Sequence, residues 1–235
     1  MARYRLISFK ACPWVQRAAI VLREKQVEFD FVHIESGNRP DWFSGISPHG
    51  KVPVLQIDDG IALFESNAIA EHLDEAAGTR LHPEDPVTRA INRAWTDYIP
   101  SFSAATGAVV GAPDAEAHGK ARAALATIFG RLEEALVRQQ GDGGPFFNGE
   151  RYSLVDAGYA PFLQRYLIVE DLSGDRLIAD YPRLQAWATA LVERASTHTF
   201  PPEEFRGLYT ENLKKRGGYL LQEALQATVS ADMTG

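Results

Sequence analysis

Cysteine is nearly missing from this chain: 235 residues hold one, Cys12. A single thiol closes no internal disulfide and leaves no cysteine cluster for a structural zinc, so neither an oxidising compartment nor a zinc-stapled fold is required. Basic runs are missing as well. Lysine and arginine number 24 against 31 aspartates and glutamates, a formal charge of -7. No segment gathers the positive patch that a phosphate backbone or an anionic bilayer would need, so neither nucleic acid nor membrane is expected as a partner. Nothing approaches the roughly 18 consecutive apolar residues of a membrane span. A secretory leader is not expected either, because MARYRLISFKACP places Arg3, Arg5 and Lys10 where it would need an unbroken apolar core. The expected location is the cytoplasm. Repeats and low-complexity tracts are absent too, and 45% hydrophobic residues suit one large or two modest domains, each with its own core.

The residues present fall into two halves. Residues 4–9 (YRLISF) have strand composition, residues 13–26 repeat apolar side chains at Val15, Ala18, Ala19 and Leu22 with helical spacing, and residues 29–34 (FDFVHI) alternate as a second strand. That βαβ unit should pair its strands in parallel. VPVLQID and IALFES then flank Asp59-Gly60, a hairpin signal of the two-residue type I′ kind. A helix entered at Ser66 as its N-cap and closed near Gly78 completes the order β-α-β, β-β-α of a thioredoxin-like domain. Residues 79–87 (TRLHPEDPV) read as a linker, which sets the domains at 1–78 and 88–235. The second is all helical, with stripes at Ile91, Trp95, Tyr98 and Phe102 on one long helix, at Leu125, Ile128, Leu132 and Leu136, and at Leu184, Trp187 and Leu191. Ser153 and Asp156 form a variant capping box ahead of a buried helix. Beyond about residue 199 the chain mixes proline, glycine and charge, with one helix expected at 220–227.

Cys12 stands between a strand and a helix, with Pro13 at the first helical position, where a preset φ and a missing N–H cost nothing. Its sulfur would face the unsatisfied N–H groups and positive dipole end of that helix, which lowers a thiol pKa from its usual value of about 8.5. The alternative is a buried, inert cysteine. Val15 occupies the position of the second cysteine in a C-x-x-C pair, so the site is monothiol and needs an outside thiol to resolve a mixed disulfide. Val52-Pro53 opens the third strand either as an edge device or as a cis peptide that turns the backbone toward a ligand. Glu65-Ser66 reads either as a plain helix start or as a pair that holds an ammonium and a carboxylate. G-I-S-P-H-G-K at 45–51 imitates a phosphate loop, but Val52 follows instead of serine or threonine, and a strand follows instead of a helix. The six histidines are dispersed, so no metal site is nominated. Trp95, Tyr98 and Phe102 pack a core or, alternatively, line an apolar substrate pocket together with Trp14.

With these stretches in place, the sequence resembles the glutathione transferases, and within them the omega class. The resemblance rests on SFKACPWVQRAAIVLREK (8–25), RPDWFSGISPHGKVPVL (39–55), FESNAIAEHLDE (64–75) and SLVDAGYAPFL (153–163). It implies glutathione as co-substrate, no metal, and a homodimer. Cys12 would form a mixed disulfide with glutathione, Val52 would pair with its cysteinyl backbone ahead of cis-Pro53, and Glu65 and Ser66 would bind its γ-glutamyl amine and carboxylate. Arg39 stands where the omega pattern usually has lysine and would face the glycyl carboxylate, with charge kept and geometry changed. Trp14 replaces the usual phenylalanine beside the thiol and would contact both glutathione and the second substrate.

The implied activity is that of a detoxifying thioltransferase or reductase, including the dehydroascorbate-reductase type. A lyase that removes glutathione from thioether adducts of aromatic or keto compounds is the alternative enzyme. The alternative from another class is a non-enzymatic regulator or binding protein on the same fold, resembling the stringent-starvation or intracellular chloride-channel proteins; retention of Cys12 and Glu65-Ser66 speaks against the former.

Overall fold

Tyr4–Ser8 (β1) and Phe29–His33 (β2) are strands, and the twelve residues of Pro13–Glu24 (α1) cross between them. A helical crossover leaves the strands parallel, with Leu6 opposite Phe31 and Ile7 opposite Val32. The computed structural model describes residues 3–58, 60–141 and 143–222. It continues with Val54–Ile57 (β3) and Ile61–Phe64 (β4), an antiparallel pair in which β3 also runs antiparallel to β1, giving the sheet order β2-β1-β3-β4. Ser66–Ala76 (α2) completes the thioredoxin-like arrangement expected from the sequence. Leu6, Ile7, Val54, Leu55, Ile69 and Leu73 are all shielded from solvent, as is α1 from Ala18 to Leu22. Each such aliphatic side chain contributes about 1.5–3 kcal/mol by leaving water.

The hairpin is present, but Ile57 pairs with Ile61, so its turn spans three residues, 58–60, and is not the two-residue Asp-Gly turn expected. The cause is Asp58. Its N–H donates to the Arg3 carbonyl and its carboxylate accepts the Arg3 N–H, each at 2.8 Å, which extends the pairing beyond Ile57. Asp59 lies outside the described residues.

The remaining helices are Pro86–Asp97 (α3), Ile99–Gly111 (α4), Ala115–Gln140 (α5), Leu154–Ser173 (α6), Pro182–Glu193 (α7) and Pro202–Arg216 (α8). Two expectations fail here. The single long helix carrying Trp95, Tyr98 and Phe102 is two helices, because Pro100 has no N–H to donate back along the ladder. The Ser101 N–H turns to the Tyr98 carbonyl three residues back, at 3.1 Å, and the Phe102 N–H starts the ladder of the next helix on that same carbonyl, at 3.2 Å. The supposed irregular stretch after residue 199 contains α8, whose only deeply buried apolar residues are Phe205 and Leu213. Of the helix expected at 220–227, residues 219–222 are helical and those from 223 lie outside the described residues.

Packing sorts the described residues into two compact units. The first contains the residues up to Thr96, together with Tyr152–Pro161 and Arg194–Thr199. The second contains the residues from Asp97 to Arg151, Phe162–Glu193 and those from Phe200 onward. In the first unit the segment after α2 is anchored by a buried ion pair. Lys25 Nζ lies 2.8 Å from Asp74 and donates to the Thr79 carbonyl at 2.6 Å, while Asp74 accepts the N–H groups of Leu81 and His82. In the second unit Phe102, Phe129, Leu132 and Leu136 are fully buried, and Leu184, Trp187 and Leu191 bury the face of α7 that the sequence stripe predicted. Among the described residues no helix is long and apolar enough to cross a membrane.

Candidate active site

Sheet register brings the separate motifs of the first unit to one end. Ile7 pairs with Val54 and Val54 with Phe64, so the chain leaves β1 after Ser8, enters β3 after Pro53 and leaves β4 into Glu65 along one line across three adjacent strands. Cys12 lies four residues past β1. Ala11 takes a φ of +62° just before it, which turns the strand exit into a helix entrance. Cys12 itself is the N-cap of α1, in extended conformation (φ −75°, ψ 124°) and half-buried. Its carbonyl accepts the first intrahelical bond, from the Gln16 N–H at 3.0 Å, and its own N–H donates to the Phe9 carbonyl at 3.2 Å. Pro13 occupies the start of the helix as expected. The thiol makes no capping hydrogen bond, so what the helix supplies is its positive end. Val15, at 1% exposure, points its apolar side chain into the core.

The Val52–Pro53 bond is cis and Val52 is buried. Arg39 is exposed, and its guanidinium sits 5.5 Å above the Phe9 ring, close to where β1 ends. Gly50 explains part of the preceding loop. Its φ is +60°, and a Cβ there would come within 2.9 Å of Arg39 Nη1, so glycine both permits the turn and leaves room for the arginine. Strand β3, not a helix, follows this loop, so it lacks the helix start of a phosphate-binding loop.

At the start of α2 the sequence reading needs correction. Glu65, not Ser66, is the N-cap, and Ser66 is the first helical residue, with only 7% of its surface open. Glu65 is exposed and holds φ 68°, ψ 116°, a region that non-glycine residues seldom enter. Strain of about 1–3 kcal/mol is typical of such positions.

Of the four aromatic residues named for the pocket, two belong to each compact unit. Trp14 is half-exposed in the first turn of α1, and Trp95, also in the first unit, is half-buried with its carbonyl accepting the Tyr159 hydroxyl at 3.1 Å. Tyr98 and Phe102 belong to the second unit. Tyr98 accepts a hydrogen bond from Arg131 at 2.9 Å. Phe102 has no open surface and stacks on Phe129 at 6.1 Å, so it packs the helical core and is not the pocket wall that the sequence offered as an alternative. The buried residues of α3 are Asn92 and Thr96 instead of the expected apolar stripe. Ser8, at the end of β1, donates its hydroxyl to the Phe9 carbonyl at 2.7 Å.

Sequence reasoning missed the polar residues that hold α1. Gln16 and Arg17 are each 2% exposed. Arg17 donates to Asn67 Oδ1 in the first turn of α2, and Gln16 Nε2 donates to the Thr197 carbonyl. The signal was available: two polar residues inside the otherwise apolar run VQRAAIVL.

Comparison with known proteins matches residues 6–81 to the glutathione S-transferase N-terminal domain and residues 89–190 to the C-terminal domain of the same family. Glutathione S-transferase omega-1 of Rattus norvegicus is 30% identical over 205 residues, covering 86% of this chain and 83% of that protein. The chain belongs to the glutathione S-transferase family. As an omega-like glutathione transferase it is also similar to the probable glutathione S-transferase DHAR1, cytosolic, of Oryza sativa subsp. japonica, at 31% identity, with 79% of this chain and 81% of that one covered. Among solved structures, rice GST1 in complex with glutathione superposes with a TM-score of 0.77 at 28% identity, covering 92% of this chain and 98% of that one. The omega-like glutathione transferase described here therefore acts with glutathione as co-substrate.

Proposed function

We propose that this transferase runs a thiol-exchange cycle on Cys12. The Cys12 thiolate attacks the glutathione sulfur of a glutathionylated substrate, the substrate leaves as a thiolate that takes up a proton, and Cys12 is left joined to glutathione by a disulfide. The thiolate of a second glutathione then attacks the bound glutathione sulfur, and glutathione disulfide leaves as the Cys12 thiolate is released. In sum one glutathione thiol is consumed and one substrate thiol is released, as the disulfide between substrate and glutathione becomes the disulfide between two glutathiones. The observation that carries this reading is Cys12 at the N-cap of α1 with Pro13 behind it, where the helix dipole stabilises the thiolate in both steps.

Around that thiol, the Val52 backbone pairs with the cysteinyl part of glutathione, Ser66 and the α2 N–H groups take the γ-glutamyl carboxylate, and Glu65 takes its ammonium. Arg39, braced on Phe9, faces the glycyl carboxylate. Trp14 and Trp95, both partly open, are the aromatic residues of the first unit offered to the second substrate. The enzyme works in the cytoplasm as a homodimer.

The test is steady-state turnover of a glutathionylated peptide, and separately of a glutathionyl-ketone, by wild type and Cys12→Ala with glutathione present. Thiol exchange predicts turnover of the peptide that Cys12→Ala abolishes. Cysteine-dependent turnover of the ketone alone would replace the reductase reading with the lyase, and undiminished turnover by Cys12→Ala would overturn both.

A further inference from the structure

Helix α1 carries the nucleophile, yet what holds it comes partly from the far end of the chain. Gln16, Arg23 and Glu24 all bond to the segment that joins α7 to α8. Gln16 Nε2 donates to the Thr197 carbonyl at 2.6 Å, Arg23 Nη1 donates to the Ser196 carbonyl at 3.2 Å, and Glu24 receives a two-pronged contact from Arg194 at 2.6 and 2.7 Å. On a helix of 3.6 residues per turn, positions 16 and 23 lie within about 20° of one line and about 10 Å apart. The segment therefore grips α1 near both ends along one face. Its own placement is fixed, since Thr197 is fully buried and the Arg194 guanidinium lies 4.5 Å over the ring of Tyr152.

Gln16 is the residue on which this grip meets the thiol. Its backbone N–H closes the turn whose other end is the Cys12 carbonyl, while its side chain, 2% exposed, reaches the segment. A rigid first turn keeps the N–H groups and dipole of the helix aimed at the N-cap, and a frayed one does not. Nothing in the thiol-exchange chemistry uses Gln16 or Thr197 directly.

We infer that the segment Arg194–Thr199 is a positioning brace for Cys12, with Gln16 and the Glu24–Arg194 pair as its two fastenings. The inference rests on Cys12 being the nucleophile. It places part of the reactivity of an N-terminal thiol under the control of residues more than 170 positions later, outside the glutathione-binding motifs. Binding of glutathione itself should be left alone.

The experiment compares Gln16→Met, which keeps length and apolar volume but removes the donor, and Glu24→Gln, which weakens the Arg194 contact, with Arg122→Lys as control. Arg122 pairs with Asp175 in the second unit and tests for a general loss of stability. The readouts on the full chain are the rate of Cys12 alkylation by iodoacetamide at one fixed pH without glutathione, then kcat and KM for glutathione. The brace predicts that both variants slow alkylation and lower kcat by several-fold to about tenfold, as the helix-terminus contribution allows, while KM for glutathione stays within twofold. Arg194→Lys, which can keep one of the two prongs, should fall between wild type and Glu24→Gln. The inference is overturned if alkylation and kcat in Gln16→Met and Glu24→Gln match wild type, if Arg122→Lys slows them equally, or if the loss appears in KM. Alkylation needs no glutathione, so this outcome is separate from the turnover test that decides whether Cys12 is the nucleophile.

Discussion

At the scale of single residues, the site depends on a few side chains held in unusual backbone states. Glu65 keeps a φ of 68° although glycine would hold it without strain. Glu65→Gly should leave thermal stability within about 1 kcal/mol of wild type, because relief of strain offsets the added freedom of the unfolded chain. It should also raise KM for glutathione by about tenfold or more, as removal of a charge-assisted contact does. Unfolding scans and steady-state kinetics check the two halves, and a large stability loss with unchanged KM would show that the residue is structural. Cys12, Val52, Pro53 and Glu65 were legible as candidates because each stands at an element boundary that leaves a local mark in sequence, whereas Arg39 entered only through the family resemblance. Gln16, Arg17 and Asn67 were not singled out, because their partners come from elsewhere in the chain and spacing alone does not reveal them. Phe102 shows the opposite problem: an aromatic at helical spacing is compatible with core and pocket alike until its burial is known.

Among the elements, the strands followed from their β-branched and aromatic composition and α1 from its helical repeat, whose positions Val15, Ala18, Ala19 and Leu22 are buried. Helix α8 escaped because Phe205 and Leu213 are too sparse to make a stripe. Its other signals were present all the same: Pro202 at the start, Glu203 and Glu204 in the first turn, Lys214 to Arg216 in the last, and Gly217 in the left-handed region. The capping box of α6 was legible and is realised. Asp156, fully buried, accepts the Ser153 N–H and hydroxyl at 2.7 Å each. Asp156→Ala leaves that N–H buried without its acceptor, so it should cost about 2 kcal/mol or more in unfolding free energy measured in urea. A loss below 0.5 kcal/mol, on the order of a surface substitution, would mean the box does not hold the start of the helix.

For the whole molecule, two carboxyls tie stability to pH in opposite directions. Glu71 loses some stability as a carboxylate through burial, but His82 at 2.9 Å and Arg93 at 2.7 Å more than offset this and hold its pKa at about 2, below the ordinary 4.5. Its contribution is therefore present above about pH 4.5 and is lost as pH falls toward 2. Glu170 has a raised pKa, first because of burial and further because Asp175 is near, despite hydrogen bonds from Ile178 and Tyr166. Its contribution is greatest at low pH and is lost as pH rises through that raised value. Thermal midpoints measured from pH 2 to 8 should show Glu71→Gln less stable near neutrality and flatter on the acid side, and Glu170→Gln more stable at neutral pH. Identical profiles for wild type and both variants would show that neither carboxyl couples stability to pH.

The proposed cycle turns on one sulfur, that of Cys12. Intact-mass measurement after incubation with glutathione disulfide should show wild type gaining one glutathione, reversible by added glutathione, and Cys12→Ser gaining none. A wild-type protein that stays unmodified, or a Cys12→Ser variant that still takes up glutathione covalently, would contradict it.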